Sequence, residues 1–391
     1  MNRTIPGLMR MVRTASVTCI LLFMGCPSCT SCSHQPAAPP AGAAHWPVFR
    51  GDRQLRGVAQ GPLPDTLRLR WSVRPGGATQ GRTELSSPVL DSLRVYVGSS
   101  DGHVYALAMA DGSTQWRFKA GGRVEAPPLR VADMVYIGDR RGTLYALDAH
   151  SGRLRWSFAT NDKIAGSANA LIRGDTTRIV FGSHNDTLYC LDGADGTLVW
   201  KYATSSYLNG TPATNDTLVL MGGCDEQLHV VCAFTGTALG RIDVGSYIAG
   251  SAAFEGNRAW VGHYNGELVC IDTDSMQVVW RYRTEGAVFA SPAVGDSLII
   301  AACRNGFVHG VCRFSGEGRW KFAAAGPIDS SPVLCDTRVI AGSDDGHLSI
   351  LDYRSGRLVA SYDLGGALSS PASGGGLVVV SDHAGTVYTL Q

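Results

Sequence analysis

A repeat of about 40 residues is the feature that most restricts how this chain can fold. Tryptophan recurs in one column of that repeat, at Trp71, Trp116, Trp156, Trp200, Trp280 and Trp320. Gly240 and Ala360 occupy the two remaining places of the column, so that successive places lie 40, 44 or 45 residues apart. A fixed period of this length is typical of repeat architectures such as solenoids and propellers. The chain therefore contains eight copies of one small structural unit.

Two further columns follow the same period. A small or hydroxyl-bearing pair, such as Ser251-Ala252 or Ser291-Pro292, recurs with the same period, about 29 residues before the column place of its copy. Turn pairs such as Asp101-Gly102 and Asn305-Gly306 lie about midway between that small pair and the column place. Such pairs favour the positive φ angles of tight hairpins. The alternation in Val104-Tyr105-Ala106-Leu107 is typical of a strand.

These columns predict four short antiparallel strands in each copy. Glycine contributes 48 of 391 residues and charged side chains only 17%, which favours a turn-rich β protein because glycine destabilises helices by up to ~1 kcal/mol per site. Four-stranded units of about 40 residues suit propeller blades. We therefore predict an all-β, eight-bladed β-propeller, with small residues where the inner strands converge.

The two ends of the repeat predict how the ring closes. The last copy stops at Gln391 after its third strand, and residues 67–73 form a fourth strand that has no copy of its own. Joining the two completes the eighth blade and removes a free sheet edge. The predicted propeller therefore spans residues 62–391, with the N-terminal strand joining the C-terminal blade.

Residues 1–25 have the pattern of a lipoprotein-type signal peptide. A basic start precedes an apolar stretch from Ala15 to Met24, which is too short to span a bilayer. Leu22 to Cys26 resembles a bacterial lipobox, which implies lipidation of Cys26; ordinary secretion is the alternative. Residues 26–61 are expected to be a Pro/Ala-rich, lipid-anchored tether and leader.

Resemblance to Gram-negative lipoproteins also implies a location. Pro27 rather than Asp follows Cys26, which in those proteins implies sorting to the outer membrane, facing the periplasm. Cys26, Cys29 and Cys32 lack the fourth cysteine of an iron–sulfur pattern, so no metal site is predicted there.

The turn before each column tryptophan carries a family resemblance. Residues 146–156 (ALDAHSGRLRW) are similar to the tryptophan-docking motif of quinoprotein-like β-propellers with PQQ-like repeats, and residues 190–200 match nearly as well. The opening Trp46 to Asp52 resembles leaders of such repeat proteins. The resemblance covers residues 83–391 and implies that the column tryptophans dock neighbouring blades; for the copies with Gly240 and Ala360 this stays open. Within the family, length and anchor look most like the propellers of outer-membrane protein assembly. They also look like PQQ-like repeat proteins of unknown role, the group whose leaders Trp46 to Asp52 resembles.

No catalytic signature accompanies the repeat. Related quinone-dependent dehydrogenases often use a vicinal disulfide and calcium ligands, but this chain has no Cys-Cys pair. Gly98 to Gly102 spells G-x-S-x-G in a hairpin turn, whereas a nucleophile elbow needs a strand, a turn and a helix. P-loop and H-E-x-x-H patterns are missing from the sequence. We expect no enzyme activity, no cofactor and no metal.

The cysteines and histidines of the repeat favour structural roles. Seven cysteines lie in the propeller, at Cys190, Cys224, Cys232, Cys270, Cys303, Cys312 and Cys335. Because an odd number cannot all pair, we expect buried free thiols, with one disulfide between blades left open. His184, His263 and His383 are expected to be exposed turn residues, and His229 and His309 to pack within strands.

A candidate binding face remains. Turns between second and third strands and connectors between blades should emerge on one face, where their side chains differ from blade to blade. The candidate residues are Arg123, Glu125, Lys163, Tyr207, Asn209, Tyr247, His263, Tyr264, Phe289, Arg304 and Asp329. Loops on a rigid scaffold often carry function, and aromatic and arginine side chains favour interfaces. The alternative is that these are ordinary solvated turn residues.

The resulting hypothesis is a non-enzymatic, lipid-anchored envelope scaffold acting in outer-membrane protein assembly. Its expected partners are envelope proteins, including the β-barrel assembly machinery, with membrane contact through the lipid anchor alone. A formal net charge of +1 gives no general attraction to nucleic acid. The alternative is a propeller that binds a small ligand, pyrroloquinoline quinone or a glycan; a quinoprotein dehydrogenase is the less favoured variant of that alternative.

Overall fold

The computed structural model describes residues 45–77 and 83–391, which form strands and turns and contain no helix. Within these ranges, therefore, no helix could cross a membrane. The predicted signal peptide and Cys26 lie outside the described residues.

Eight blades of four antiparallel strands make up the ring, which confirms the predicted fold class, and one blade carries Val58–Ala59 as a fifth, parallel strand. We number the blades 1–8 from the one that begins at Val89. The innermost strands are Val89–Leu90, Leu129–Val131, Asn169–Arg173, Ala213–Thr214, Ala253–Glu255, Ala293–Val294, Val333–Cys335 and Ala372–Gly374. The second strands are Arg94–Gly98, Met134–Gly138, Thr176–Ser183, Leu218–Gly222, Arg258–His263, Leu298–Cys303, Arg338–Gly342 and Leu377–Ser381. The third strands are His103–Ala108, Thr143–Asp148, Thr187–Asp192, Gln227–Cys232, Glu267–Asp272, Phe307–Cys312, His347–Asp352 and Val387–Leu390. The outer strands are Thr114–Lys119, Leu154–Ala159, Leu198–Ala203, Ala238–Asp243, Gln277–Arg283, Gly318–Ala323, Leu358–Asp363 and Leu69–Val73.

Blade 8 closes the ring as predicted, with an N-terminal strand that joins the C-terminal blade. Leu69–Val73 pairs antiparallel with Val387–Leu390, so the outer strand of this blade comes from the N-terminal part of the chain. The backbone N–H groups of Arg68 and Gln391 also donate to each other's carbonyls. Strand pairing in this blade therefore joins residues more than 300 positions apart in sequence.

Each column tryptophan packs onto the next blade. The indole N–H of Trp116 donates to the carbonyl of Ala149 at 2.9 Å, and a Cβ added to Gly152 would lie 2.6 Å from the ring. Gly152 also has a φ of +69°, which disfavours other residues. The corresponding pairs are Trp71–Gly112, Trp156–Gly196, Trp200–Gly236, Trp280–Gly316 and Trp320–Gly356. Every one of these indoles also donates to a carbonyl of the neighbouring blade.

The two blades without a column tryptophan use other contacts. At Gly240 the space is filled by Met276 of the next blade, whose sulfur would lie 2.7 Å from an added Cβ. Met276 stands where the other turns have the docking glycine, and it keeps a left-handed φ of +55°. Ala360 packs against the hydrophobic cluster that includes Val378 and Leu390 of blade 8. No turn joins the third and outer strands of that blade, because they come from distant parts of the chain.

The strand register shows that the size of each column residue matches the size of its partner on the third strand. Trp116 and Trp156 pair across the sheet with alanine, Trp200 and Trp280 with cysteine, and Trp320 with glycine. Gly240 and Ala360 instead pair with Val230 and Ile350. Large and small side chains thus alternate across each pair, as close packing requires.

Residues 46–61, part of the segment 26–61 that is predicted to be a tether and leader, form a strap along the inner strands. Hydrogen bonds join this segment to blade 1 at Leu90, to blade 2 at Arg130 and to blade 5 at Phe254. The strap then pairs parallel with blade 7, through Val58 and Ala59. The ordered contacts therefore begin well before residue 62.

Candidate binding face and axial cavity

Connectors and hairpin turns meet on one face through backbone hydrogen bonds. The N–H of Tyr264, in a turn between second and third strands, donates to the carbonyl of Tyr247 in the preceding connector. The same bond recurs in the other blades, as from Arg140 to Arg123 and from His184 to Lys163. Because only backbone atoms take part, the side chains of this face are left to vary.

An aromatic and charged row crosses blades 5 to 7 on this face. The rings of Tyr264 and Phe289 stack with centroids 5.8 Å apart, and the Arg304 guanidinium lies 4.9 Å from the Phe289 centroid. Arg304 also forms an ion pair with Asp329 at 3.0 Å. Stacked rings and cation–π contacts hold these side chains in place at the surface.

A second aromatic contact lies on blades 3 and 4. Tyr207 stacks on His184 with centroids 5.2 Å apart and an interplanar angle of 12°. About half of the surface of Tyr207, Tyr247 and Tyr264 is exposed, at 52%, 49% and 55%. Large apolar rings with this exposure are available for contact with another molecule.

The remaining candidates form local pairs or are free on the surface. Glu125 forms an ion pair with Arg140 at 2.9 Å, and the Asn209 amide donates to the Cys224 sulfur at 3.0 Å. Arg123 is exposed and Lys163 is half-buried.

His263 differs from the exposed turn residue that the sequence suggested. Its side chain is 1% exposed, and its Nε2 lies 3.3 Å from Glu267. Burial lowers its pKa despite that carboxylate. The residue ends a second strand, where the turn covers it, so it offers no contact to a partner.

Two carboxylates at the centre of the face are held in a partly buried position. The pKa of Asp329 is raised by burial and by the nearby Asp344, while Arg304 acts against the shift. Burial likewise raises the pKa of Asp344, with His383 opposing it. Over the described ranges, no group of three or more His, Cys, Asp or Glu side chains could hold a metal ion.

The strand histidines and four of the cysteines are buried. All seven propeller cysteines are free, and Cys190 and Cys270 are buried opposite column tryptophans, as Cys303 and Cys335 are buried elsewhere. The expectation of buried thiols is wrong for Cys224, Cys232 and Cys312, which are partly exposed. Buried His229 contacts Tyr202 at 3.0 Å, and buried His309 contacts Tyr282 at 3.1 Å. These contacts confirm the structural interpretation of the two strand histidines.

An axial cavity of about 270 Å³ lies at the centre of the ring. Its walls include Glu125, Asn209, Phe289 and Asp329 of the binding face, and Phe49 of the strap. The cavity therefore connects the variable face with the strap.

A collar of hydroxyl groups surrounds this cavity. In six successive blades the backbone N–H of one residue donates to the hydroxyl of the next, at 2.8–3.2 Å. The collar runs through Ser167, Thr211, Ser251, Ser291, Ser331, Ser370 and Ser87. Pro127, which has neither an N–H nor a hydroxyl, interrupts it in blade 2.

Sequence reasoning missed two parts of this centre. The small and hydroxyl column was explained by crowding alone, although its hydroxyls also accept hydrogen bonds between blades. Arg50 of the strap was not singled out, yet its side chain is 1% exposed and donates to the carbonyls of Pro292 and Pro332. The leader motif that contains Arg50 was the available signal.

Known structures share this architecture. BamB from Moraxella catarrhalis superimposes with a TM-score of 0.71 at 22% identity, over 83% of this chain and 98% of that one. The computationally designed Ika8 protein gives 0.73 at 17% identity, over 82% and 99%. Quinohemoprotein alcohol dehydrogenase from Comamonas testosteroni gives 0.72 at 13% identity, over 89% and 80%. At these identities the likeness shows the fold alone.

Sequence comparison points to one family. Outer membrane protein assembly factor BamB of Burkholderia pseudomallei is 26% identical over 107 residues, a stretch that spans 27% of this chain and 28% of that relative. A family profile described as outer membrane protein assembly factor BamB matches residues 63–177, 172–239, 224–315 and 304–391. Together the four segments cover every blade, and the chain belongs to this family of β-propellers.

Proposed function

We propose that this protein is a non-enzymatic scaffold of the cell envelope that binds protein partners during outer-membrane protein assembly. The observation that carries the proposal is the match of the assembly-factor family along the whole ring, residues 63–391. The partners are envelope proteins, with the β-barrel assembly machinery as the first candidate. The lipid anchor at Cys26 holds the ring at the outer membrane, facing the periplasm.

The binding face supports this role through its exposed aromatic side chains. Tyr207, Tyr247 and Tyr264 are about half exposed and come from successive blades. Tyrosine contributes large contact area at a small cost in side-chain entropy, and it is enriched among residues that dominate binding energy. A protein partner that covers these three rings would contact blades 3 to 5.

Site-specific crosslinking tests the face. A photoreactive amino acid replaces Tyr247 in one variant and Phe314 in the control; Phe314 is 74% exposed but lies in a turn between third and outer strands, at the opposite end of the blade. We expect partner adducts from position 247 and none from position 314. Equal adducts from both positions, or none from position 247, would contradict the proposed face.

The anchor has its own test. Metabolic labelling with an alkyne fatty acid should label the wild-type chain and leave Cys26→Ser unlabelled. Membrane fractions should then lose the Cys26→Ser variant. Labelling that persists in Cys26→Ser would exclude lipidation at that residue.

The small-ligand alternative rests on the axial cavity and on the aromatic rings beside it. Phe289 both lines the cavity and stacks on Tyr264. Calorimetric titration with pyrroloquinoline quinone, with calcium present, and with polysaccharides measures such binding directly. Heat that disappears in Phe289→Ala would favour a ligand over a protein partner.

A further inference from the structure

Blade 3 has a longer inner hairpin than the other blades. Trp156 and Trp200 lie 44 residues apart, whereas most successive column places are separated by 40. The added residues lengthen the innermost strand to Asn169–Arg173 and the second strand to Thr176–Ser183, while the innermost strands of the other blades have two or three residues. Insertions in one copy of a repeat often form loops on a binding face. This hairpin is therefore a candidate for a contact that the other blades lack.

The lengthened hairpin forms one wall of a groove against blade 4. A cavity of about 130 Å³ is lined by Leu171 and Ile172 on the blade 3 side and by Ala233 and Phe234 on the blade 4 side. Ile172 is 36% exposed and Phe234 is 40% exposed. A cavity of roughly 150 Å³ holds a benzene molecule, so the groove has room for one large apolar side chain. Phe234 lies in the turn between third and outer strands, which places the groove at the end of the ring opposite the binding face.

Two arginines flank this groove. The Arg173 guanidinium lies 4.8 Å from the centroid of the Phe234 ring, and Nη1 of Arg178 donates to the Phe234 carbonyl at 3.2 Å. Within residues 45–77 and 83–391, neither guanidinium pairs with a carboxylate. The contacts with Phe234 position both side chains, and their remaining N–H groups have the geometry that a carboxylate matches.

The carboxylates nearest to the groove are paired or line another cavity. Asp216 lines the groove, but the Arg53 guanidinium of the strap lies 3.5 Å from its carboxylate. Asp175, in the turn of the lengthened hairpin, lines a separate cavity between blades 2 and 3. The groove therefore combines an apolar centre with two positive charges that the chain leaves without a counter-ion in the part that the structure describes.

We propose that this groove binds a peptide segment of a protein partner in which a large apolar side chain lies next to an aspartate or glutamate. The apolar side chain fills the cavity between Leu171 and Phe234, and the carboxylate pairs with Arg173 or Arg178. Charge complementarity selects an acidic segment over a basic one. Because the groove and the binding face lie at opposite ends of the ring, this inference is independent of the partner at the binding face.

A phage library of random peptides, selected on the purified full chain, is the probe for the experiment. The enriched peptides should share a large apolar residue next to an aspartate or glutamate, because the groove offers one apolar cavity beside two arginines. Selection that enriches no motif, or a motif without the acidic residue, would overturn the proposal.

Titration of the enriched peptide against variants identifies the residues that bind it. Arg173→Gln combined with Arg178→Gln should weaken binding about tenfold, as expected for the loss of a charge-assisted hydrogen bond. Phe234→Ala should weaken it as well, and Ile172→Ala takes its place if that variant does not fold. The matched control is Arg354→Gln, which changes an exposed arginine in the corresponding turn of blade 7 and should bind as the wild type does. Unchanged binding in the double arginine variant, or equal weakening in the control, would contradict the assignment to this groove.

Two other results would give the peptide or the groove a different role. Loss of peptide binding in Tyr247→Ala would place the peptide on the binding face. A wild-type dimer that Phe234→Ala dissociates, measured by analytical ultracentrifugation, would place a second copy of this chain in the groove. Either result would overturn the proposal.

Discussion

Replacement of Gly240 by tryptophan and of Met276 by glycine tests whether each blade docks through a tryptophan that packs on a glycine of the next blade. Six column tryptophans dock on a glycine of the next blade, and the pair Gly240–Met276 reverses the sizes. The double change Gly240→Trp with Met276→Gly restores the common arrangement. Val230 faces position 240, where tryptophan-bearing blades have smaller residues, so all proteins of the comparison carry Val230→Ala.

The two single changes should each destabilise the ring. Gly240→Trp alone collides with the Met276 side chain, and overpacking of this kind costs about 1–3 kcal/mol. Met276→Gly alone leaves a gap beside Gly240, which costs about 2 kcal/mol. Relief of the left-handed φ of +55° at Met276 returns about 1 kcal/mol of that loss.

The double change should recover most of this loss. A docked indole buries roughly 150–250 Å², worth at most about 4–6 kcal/mol at 25 cal/mol per Å². By analogy with Trp200 and Ala233, which are also 33 residues apart, the new indole N–H would reach the carbonyl of Thr273. We expect the double variant to be more stable, by about 2–3 kcal/mol, than the sum of the two single effects would predict.

Urea unfolding of the four proteins measures that coupling free energy. Additive effects, within about 0.5 kcal/mol, would refute the docking rule. They would show that Met276 occupies its position for a reason unrelated to the missing tryptophan.

Three further outcomes are expected. Deletion of residues 62–75 removes the outer strand of blade 8 and should lower the thermal unfolding midpoint of the ring; an unchanged midpoint would contradict closure through this strand. Hydrogen bonds from Ser315 lower the pKa of Cys312 to about 7, whereas burial raises that of Cys190 to about 12; iodoacetamide at neutral pH should therefore alkylate Cys312 first, as peptide mass spectrometry would show. Burial lowers the pKa of His309 from 6.5 to about 4, so between these values only the unfolded chain takes up the proton. Stability should fall as pH falls through that window, by up to about 3 kcal/mol, and His309→Asn should flatten this part of a pH series of urea midpoints.

The ring was predictable because its columns repeat eight times. Trp116 and Trp156 fixed the period, and the turn pairs fixed the hairpins between second and third strands. The unmatched strand predicted at 67–73 then required closure with the last copy, and the structure pairs Leu69–Val73 with Val387–Leu390. These inferences depend on local patterns that occur in every copy, and a repeat provides several independent readings of each pattern.

The centre of the ring was less predictable because its contacts occur once. Arg50 reaches carbonyls 242 and 282 residues away in sequence, and no spacing rule connects such positions. His263 was expected on the surface because its turn position was known but its burial was not. Met276 could have been noticed in sequence, since it replaces a turn glycine one blade after Gly240 replaces a tryptophan.

The variable face and the constant framework are compatible because different atoms serve them. In the turns of blades 5 and 6, the N–H groups of Tyr264 and Arg304 bond to carbonyls of the connectors. Those bonds hold the loop whatever side chain the residue carries, since every residue except proline has the donor. The docking indoles lie between neighbouring blades and the hydroxyl collar lies around the axial cavity, so neither depends on the side chains of the binding face. Substitution of Tyr247 or Tyr264 should therefore change binding without loosening the ring, and this separation lets the fold present a specific surface.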